Sequence, residues 1–386
     1  MPLAAYADAS RALNLFPSHA LQRLVARHSA ACADAGLHLD ALRGADDGVV
    51  SRWLHARGGM LPAGLTDDLE RIDELADDRG ASALIDAAER LGGDTRALGL
   101  DPLEVAVRSF LDHPRLFESA HSRRVLETLR GTTEFVGRRP GAPQALDLAA
   151  IRAIEVGLGR QFDARSRSRH CQITVGLDGD RHVFTVAHGA LVRVDEALDE
   201  RPVMVSEAPG PVYFSGRAVR YRPQRRDVVV YEANAGRLRI RAGDAPTLRA
   251  YRASFGELLF GDAGWFGDDE VVSLEPLVRL GAAVEVPTPG LREVRLVGLI
   301  LRHRDPVGKM ALDSDELWPY LRARMVGGLD DAELVEADLR VFPVGASSGA
   351  IVKVRTPNRV EYGRINDDLV RPYLEQRGFL ACARGG

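Results

Sequence analysis

Lysine is almost absent from this 386-residue chain: of 51 cationic side chains only Lys309 and Lys353 are lysines, and the rest are arginine. A GC-rich coding genome produces the same bias, so the placement of arginine carries information and its abundance does not. Cysteine is scarce as well. Cys32, Cys171 and Cys382 lie far apart and form no CxxC pair, which excludes a zinc ribbon or a disulfide scaffold and suits a reducing compartment. Aromatic residues make up 6% of the chain, so cores of Leu, Val, Ile and Ala are expected. The apolar stretch Val297–Leu301 falls far short of the roughly 20 residues of a membrane span. The N-terminal run MPLAAYADASRALNLF lacks the basic start and apolar centre of a secretion signal. A cytoplasmic protein without a membrane partner is the expectation. No GxxxxGK[ST], HExxH or GxSxG is present, and neither lysine completes an Asp/Glu-x-Lys triplet. No cofactor is implied.

An uneven charge distribution stands out against these absences. Residues 1–137 carry 15 Arg against 21 acids (net −6), 138–252 carry 20 Arg against 13 acids (net +7), and 253–386 carry 16 Lys+Arg against 21 acids (net −5). These sum to the total of −4. Such segregation creates a local potential that attracts a polyanion or an acidic surface. Apolar content of 45% is that of a globular protein, and the length calls for two or three domains.

The patterning predicts an α+β protein: a helical N-terminal region, a strand-rich, mainly antiparallel centre and a mixed α/β C-terminal region. The corresponding divisions are 1–137, 145–260 and 261–386, the last two either separate or continuous, with Gly137–Gln144 as linker. Leu13, Leu21, Leu24 and Val25 recur at helical spacing, with Gly36 as a stop. Asp101-Pro102-Leu103-Glu104 has the form of a capping box and starts a helix that ends before Pro114. A second helix is expected near 115–129, and others near 147–162, 245–260, 314–325 and 367–377. In Asp67–Asp78, Leu69, Ile72 and Leu75 share one side and carboxylates the other, the pattern of a solvated helix face. Asp178-Gly179 and Asn234-Ala-Gly236 predict hairpins. Strands are expected near 271–274, 292–301, 335–343 and 350–355, with Gly345–Gly349 as a turn.

Three groups of residues are candidates for chemistry. In Arg237-Leu-Arg-Ile-Arg241 the alternation directs Leu238 and Ile240 to a core and Arg237, Arg239 and Arg241 to the opposite face. Same-face residues lie about 6.6–6.8 Å apart, close to phosphate spacing. Arg217, Arg220 and Arg222 repeat the pattern, and Arg225 and Arg226 follow. If open to solvent, these arginines form a cationic surface for nucleic acid or an acidic protein partner. His170, His182 and His188 are the second group, with Asp178 and Asp180 nearby. They meet only if a three-residue loop sets the hairpin register, whereas a two-residue turn separates His170 from His188 and keeps one face apolar. The third group is carboxylate: Asp268, Asp269 and Glu270, then Asp313, Asp315 and Glu316, where Ser314 reads as a helix cap.

The first group leads. The expectation is a non-enzymatic nucleic-acid-binding or assembly component, with the helical N-terminal region as a further protein-binding surface. Such a role suits a bacterial nucleic-acid-handling or antiviral defence complex. A metal-dependent hydrolase or nuclease using the histidines is the second reading, and a pure protein–protein scaffold the third.

Overall fold

A computed structural model of the chain describes residues 18–34, 62–92, 101–165, 167, 169–191, 193–203, 213–221, 224–267, 270–303, 308–324 and 332–381. In chain order the elements begin with α1 (Ser18–Arg27), α2 (Ser29–Asp34), α3 (Ala63–Asp73), α4 (Asp78–Arg90), α5 (Pro102–Asp112) and α6 (Pro114–Thr128). Next come β1 (Gly131–Val136), α7 (Leu148–Asp163), β2 (Cys171–Asp178), β3 (Arg181–Gly189), β4 (Arg193–Val203), β5 (Tyr213–Tyr221), β6 (Gln224–Glu232), β7 (Arg237–Arg241) and α8 (Ala245–Phe260). The remainder is α9 (Glu275–Leu280), β8 (Leu291–His303), β9 (Lys309–Asp313), α10 (Leu317–Arg324), β10 (Ala332–Pro343), β11 (Ala350–Arg355), β12 (Arg359–Glu361) and α11 (Asp367–Arg377). The fold is α+β, with helices first, a strand-rich centre and a mixed end. Among the described residues no helix is long and apolar enough to cross a membrane.

Contacts divide the chain into two compact units. One comprises Met1–Arg124, Glu155–Thr174 and Val186–Arg226; the other comprises Val125–Ile154, Val175–Thr185 and Asp227–Gly386. Their bounds do not coincide with 1–137, 145–260 and 261–386, because neighbours in the sheet come from distant parts of the chain.

The first unit is built on α1 to α5 and the larger part of α6. Leu24, Val25, Leu65, Leu69, Ile72, Leu75, Leu84, Val105 and Phe117 form one core cluster. Leu69, Ile72 and Leu75 are buried, as the spacing predicts. The start of α5 is also local chemistry. The Asp101 side chain accepts from the Leu103 and Glu104 backbone N–H groups, and Pro102 occupies the first turn. Glu104 does not close the capping box; it pairs with Arg108 one turn on. The stop expected at Gly36 and the helical Leu13 lie outside the described residues.

The second unit holds the larger part of a ten-stranded antiparallel sheet of order β2-β3-β6-β7-β1-β12-β11-β10-β8-β9; β4 and β5 pair separately. Strand β1 falls in the stretch read as helical, yet Thr132, Thr133, Phe135 and Val136 are β-branched or aromatic and fit a buried strand. Both predicted hairpins form, the first with Gly179-Asp180 as its turn rather than Asp178-Gly179, because Asp178 is the last residue of β2. Gly179 and Gly236 sit at φ +65° and +58°, where a side chain is strained. Helix α8 matches its expected range, capped by Asp244 at its start and by left-handed Gly261 at its end. The strand expected near 271–274 is reduced to a single bridge between Val272 and Leu380.

The Asp101 cap serves a helix whose Val105, Ala106, Val107 and Phe110 are buried. Asp101→Ala is expected to destabilise the protein by about 1 kcal/mol, read as a lowered midpoint in urea at unchanged slope.

Candidate functional site

Arg237 and Arg239 of β7 lie inside the sheet, where both faces are covered. Strand β7 lies between β6 and β1, in register Val230↔Arg239, Glu232↔Arg237, Glu134↔Arg239 and Val136↔Arg237. Leu238 and Ile240 are buried, as the alternation predicts. On their side α8 supplies cover: Arg252 of α8 stacks over Phe135, the cross-strand partner of Leu238, and Phe260 packs edge-on against Tyr231.

The opposite face is covered by α11. Arg237 and Arg239 are 1% and 0% exposed, so the expectation that both face solvent is overturned. The carboxylates of α11 are the reason. Asp367, Arg371 and Glu375 recur every four residues, forming one stripe of alternating sign on the helix. Asp367 accepts from Arg239, Arg371 donates to Glu134 at 2.7 Å, and Glu375 accepts from Arg237 at 2.9 Å. Glu232 accepts from Arg239 at 3.0 Å and lies 3.7 Å from Arg371. Arg237 also donates to the Ala381 carbonyl at 2.7 Å. Burial raises the Glu232 carboxyl, but the guanidiniums of Arg371 and Arg239 outweigh it and hold the group below its ordinary value. Burial pushes Glu375 up, against the lowering by Arg371.

Arg226 is also internally neutralised, within the first unit. Its guanidinium contacts Asp67 at 2.9 Å and Glu70 and Glu74 at 2.7 Å each. The expected solvated acidic face is therefore corrected, with Asp67 itself buried. Glu74 also pairs with buried His121 at 2.8 Å. Of the remaining arginines in the group, Arg225 and Arg241 are exposed. Arg217 and Arg220 lie on β5 opposite Ala197 and Val194, and Arg222 lies outside the described residues.

The histidines do not converge. His188 is buried and stacked on Phe162 at 4.4 Å between ring centres, while His170 is exposed ahead of β2. His182 is half-buried beside Tyr231, and burial lowers its pKa. Strands β2 and β3 are separated by Gly179 and Asp180 alone. Among the described residues no group of three or more His, Cys, Asp or Glu side chains is placed to hold a metal. Asp268 and Asp269 lie outside the described residues. Ser314 accepts from the Glu316 N–H in the turn ahead of α10, which begins at Leu317, so it does not cap the helix as expected; Asp315 pairs with Arg340.

Sequence reasoning missed the outer face of α7. Of its 16 residues only Leu158, Gly159 and Phe162 are buried, whereas Leu148 and Val156 are 66% and 53% exposed. Ala149, Arg152, Ala153 and Arg160 are exposed with them. The signal was present in Leu148-Ala-Ala-Ile-Arg-Ala-Ile-Glu-Val156, a segment with more apolar residues than one buried stripe uses. No protein-family model matches the chain, and no curated protein shows significant similarity to it.

The two kinds of arginine make opposite predictions. Arg239→Met leaves Asp367 and Glu232 without their guanidinium and is expected to cost about 3–5 kcal/mol, whereas Arg241→Ala stays within about 0.5 kcal/mol; urea denaturation compares them. Acid should also weaken the fold through Glu232. Below 4.5, its ordinary value, the unfolded chain takes up this proton while the folded chain does not, so stability falls until the depressed folded value is passed. Glu375, raised by burial, works in the opposite sense. Glu232→Gln is expected to lower stability at neutral pH and flatten the acid limb of a melting-temperature profile.

Proposed function

We propose that the protein is a non-enzymatic assembly component that docks an acidic protein surface on the outer face of α7. The observation that carries this reading is the pairing of exposed apolar and cationic side chains on one helix. Leu148, Ala149, Ala153 and Val156 lie within one arc of the helix, and Arg152 and Arg160 share that arc with them. Exposed apolar groups of this kind mark interaction sites. The acids nearby are turned to other partners: Asp147 caps the helix at the Ala150 N–H, Glu155 accepts from the Ile173 N–H, and Asp163 pairs with Arg169. Arg152 and Arg160 form no ion pair among the described residues. A planar guanidinium suits bidentate contact with carboxylates, and its apolar stem extends the buried surface. The segment lies within the cationic stretch 138–252, whose composition supports the same partner preference. Nucleic acid loses its strongest candidate residues, because Arg226, Arg237 and Arg239 are neutralised by the chain's own carboxylates.

Affinity purification from the native host, comparing the wild-type chain with Val156→Glu and with Arg152→Glu/Arg160→Glu, tests the reading. One acidic protein retained by the wild type and lost from both variants is expected. Steeply salt-dependent binding to DNA or RNA that these variants leave intact, and that Arg241→Glu weakens, would favour the nucleic-acid reading instead.

A further inference from the structure

We infer that β9 pairs with β9 of a second copy of this chain about a two-fold axis at Ala311. Strand β9 is the last in the sheet order, and among the described residues it pairs with β8 alone. Lys309, Met310, Ala311 and Asp313 are exposed, and Met310 is 44% exposed despite being a large apolar side chain. A free strand edge with unpaired N–H and C=O groups is a template for another strand, and soluble proteins normally blunt or cover it.

The occupant follows from the five residues themselves. A two-fold antiparallel pairing places each residue opposite its mirror position about the centre. In Lys309-Met-Ala-Leu-Asp313 that sets Lys309 opposite Asp313 of the second copy, Met310 opposite Leu312 and Ala311 opposite Ala311. Residues directly opposite share a face of the sheet, so the faces match too. Register with β8 puts Leu312 beside Leu299 and Met310 beside Leu301, both of which are buried in the core. Leu312 already packs against that core, and pairing extends the apolar face through Met310 and Leu312 of the partner copy. On the other face the small Ala311 sits at the axis between two Lys309–Asp313 pairs. Lys309 and Asp313 form no ion pair among the described residues, so the second copy supplies a counter-charge to each. Strand β2, at the other end of the sheet, reads Cys-Gln-Ile-Thr-Val-Gly-Leu-Asp and has no such self-complementary charge pattern. A five-residue edge buries less than a standard interface, so the dimer is concentration-dependent.

Sedimentation equilibrium of the full chain over a concentration series tests this. The wild type should shift from monomer to dimer mass. Lys309→Asp faces two like-charge pairs and should stay monomeric, as should Asp313→Lys, each with a dissociation constant raised at least about tenfold. Mixed in equal amounts, the two variants regain opposite charges at both positions and should form a heterodimer. Both changes lie on exposed side chains, and circular dichroism confirms that the variants fold. A wild-type mass independent of concentration overturns the inference. So does dimerisation of each single variant at wild-type strength, or a mixture no more associated than its components.

Discussion

Two guanidinium groups of β7 are sealed beneath the last helix of the chain, and the second unit depends on how their charge is met. Removing Arg237 and Arg239 from water costs several kcal/mol each unless carboxylates are placed against them. Helix α11 supplies Asp367 and Glu375 at two positions, with Arg371 between them aimed at Glu134. The result is a matched sequence of signs on sheet and helix. Sliding α11 by one turn would set Arg371 against an arginine of β7 and a carboxylate against Glu134. Apolar faces tolerate such slips; this one does not, so the ionic layer contributes register as well as cohesion.

The same principle operates on a smaller scale in the first unit. Asp67, Glu70 and Glu74 fall on one side of α3 and its end, and all three contact Arg226. The division of charge along the chain therefore has an internal meaning. The central stretch carries excess arginine, and its flanks carry the acids that neutralise part of it. What remains outside is a different kind of surface. Helix α7 offers apolar side chains interspersed with arginines, and β9 offers backbone groups with one charge of each sign. Both present their groups to solvent, where ions need no rigid partner and retain the freedom to meet another molecule.

Much of the local structure was legible because it is decided by neighbours in sequence. Asp101-Pro102 starts α5 through hydrogen bonds two and three residues away, and Gly236 permits a backbone turn closed to other residues. The range of α8 followed from its periodicity and from Gly261. Less of the candidate site could be read. The exposed face of α7 looked like an ordinary helix, since a helix rich in Ala, Ile and Leu is usually buried. Strand β9 leaves little trace in the sequence, because Lys309 and Asp313 flank only three apolar residues.

Within Arg237–Arg241, alternation alone determined that Leu238 and Ile240 point one way and the arginines the other, because successive strand residues must face opposite sides. It did not determine which side meets water. That choice rests on Asp367, 128 residues from Arg239, just as the fate of Arg226 rests on Asp67, 159 residues away. Local periodicity is a property of the backbone and is written in consecutive residues. Solvent exposure is a property of whatever packs on top, and only the folded chain brings that cover into place.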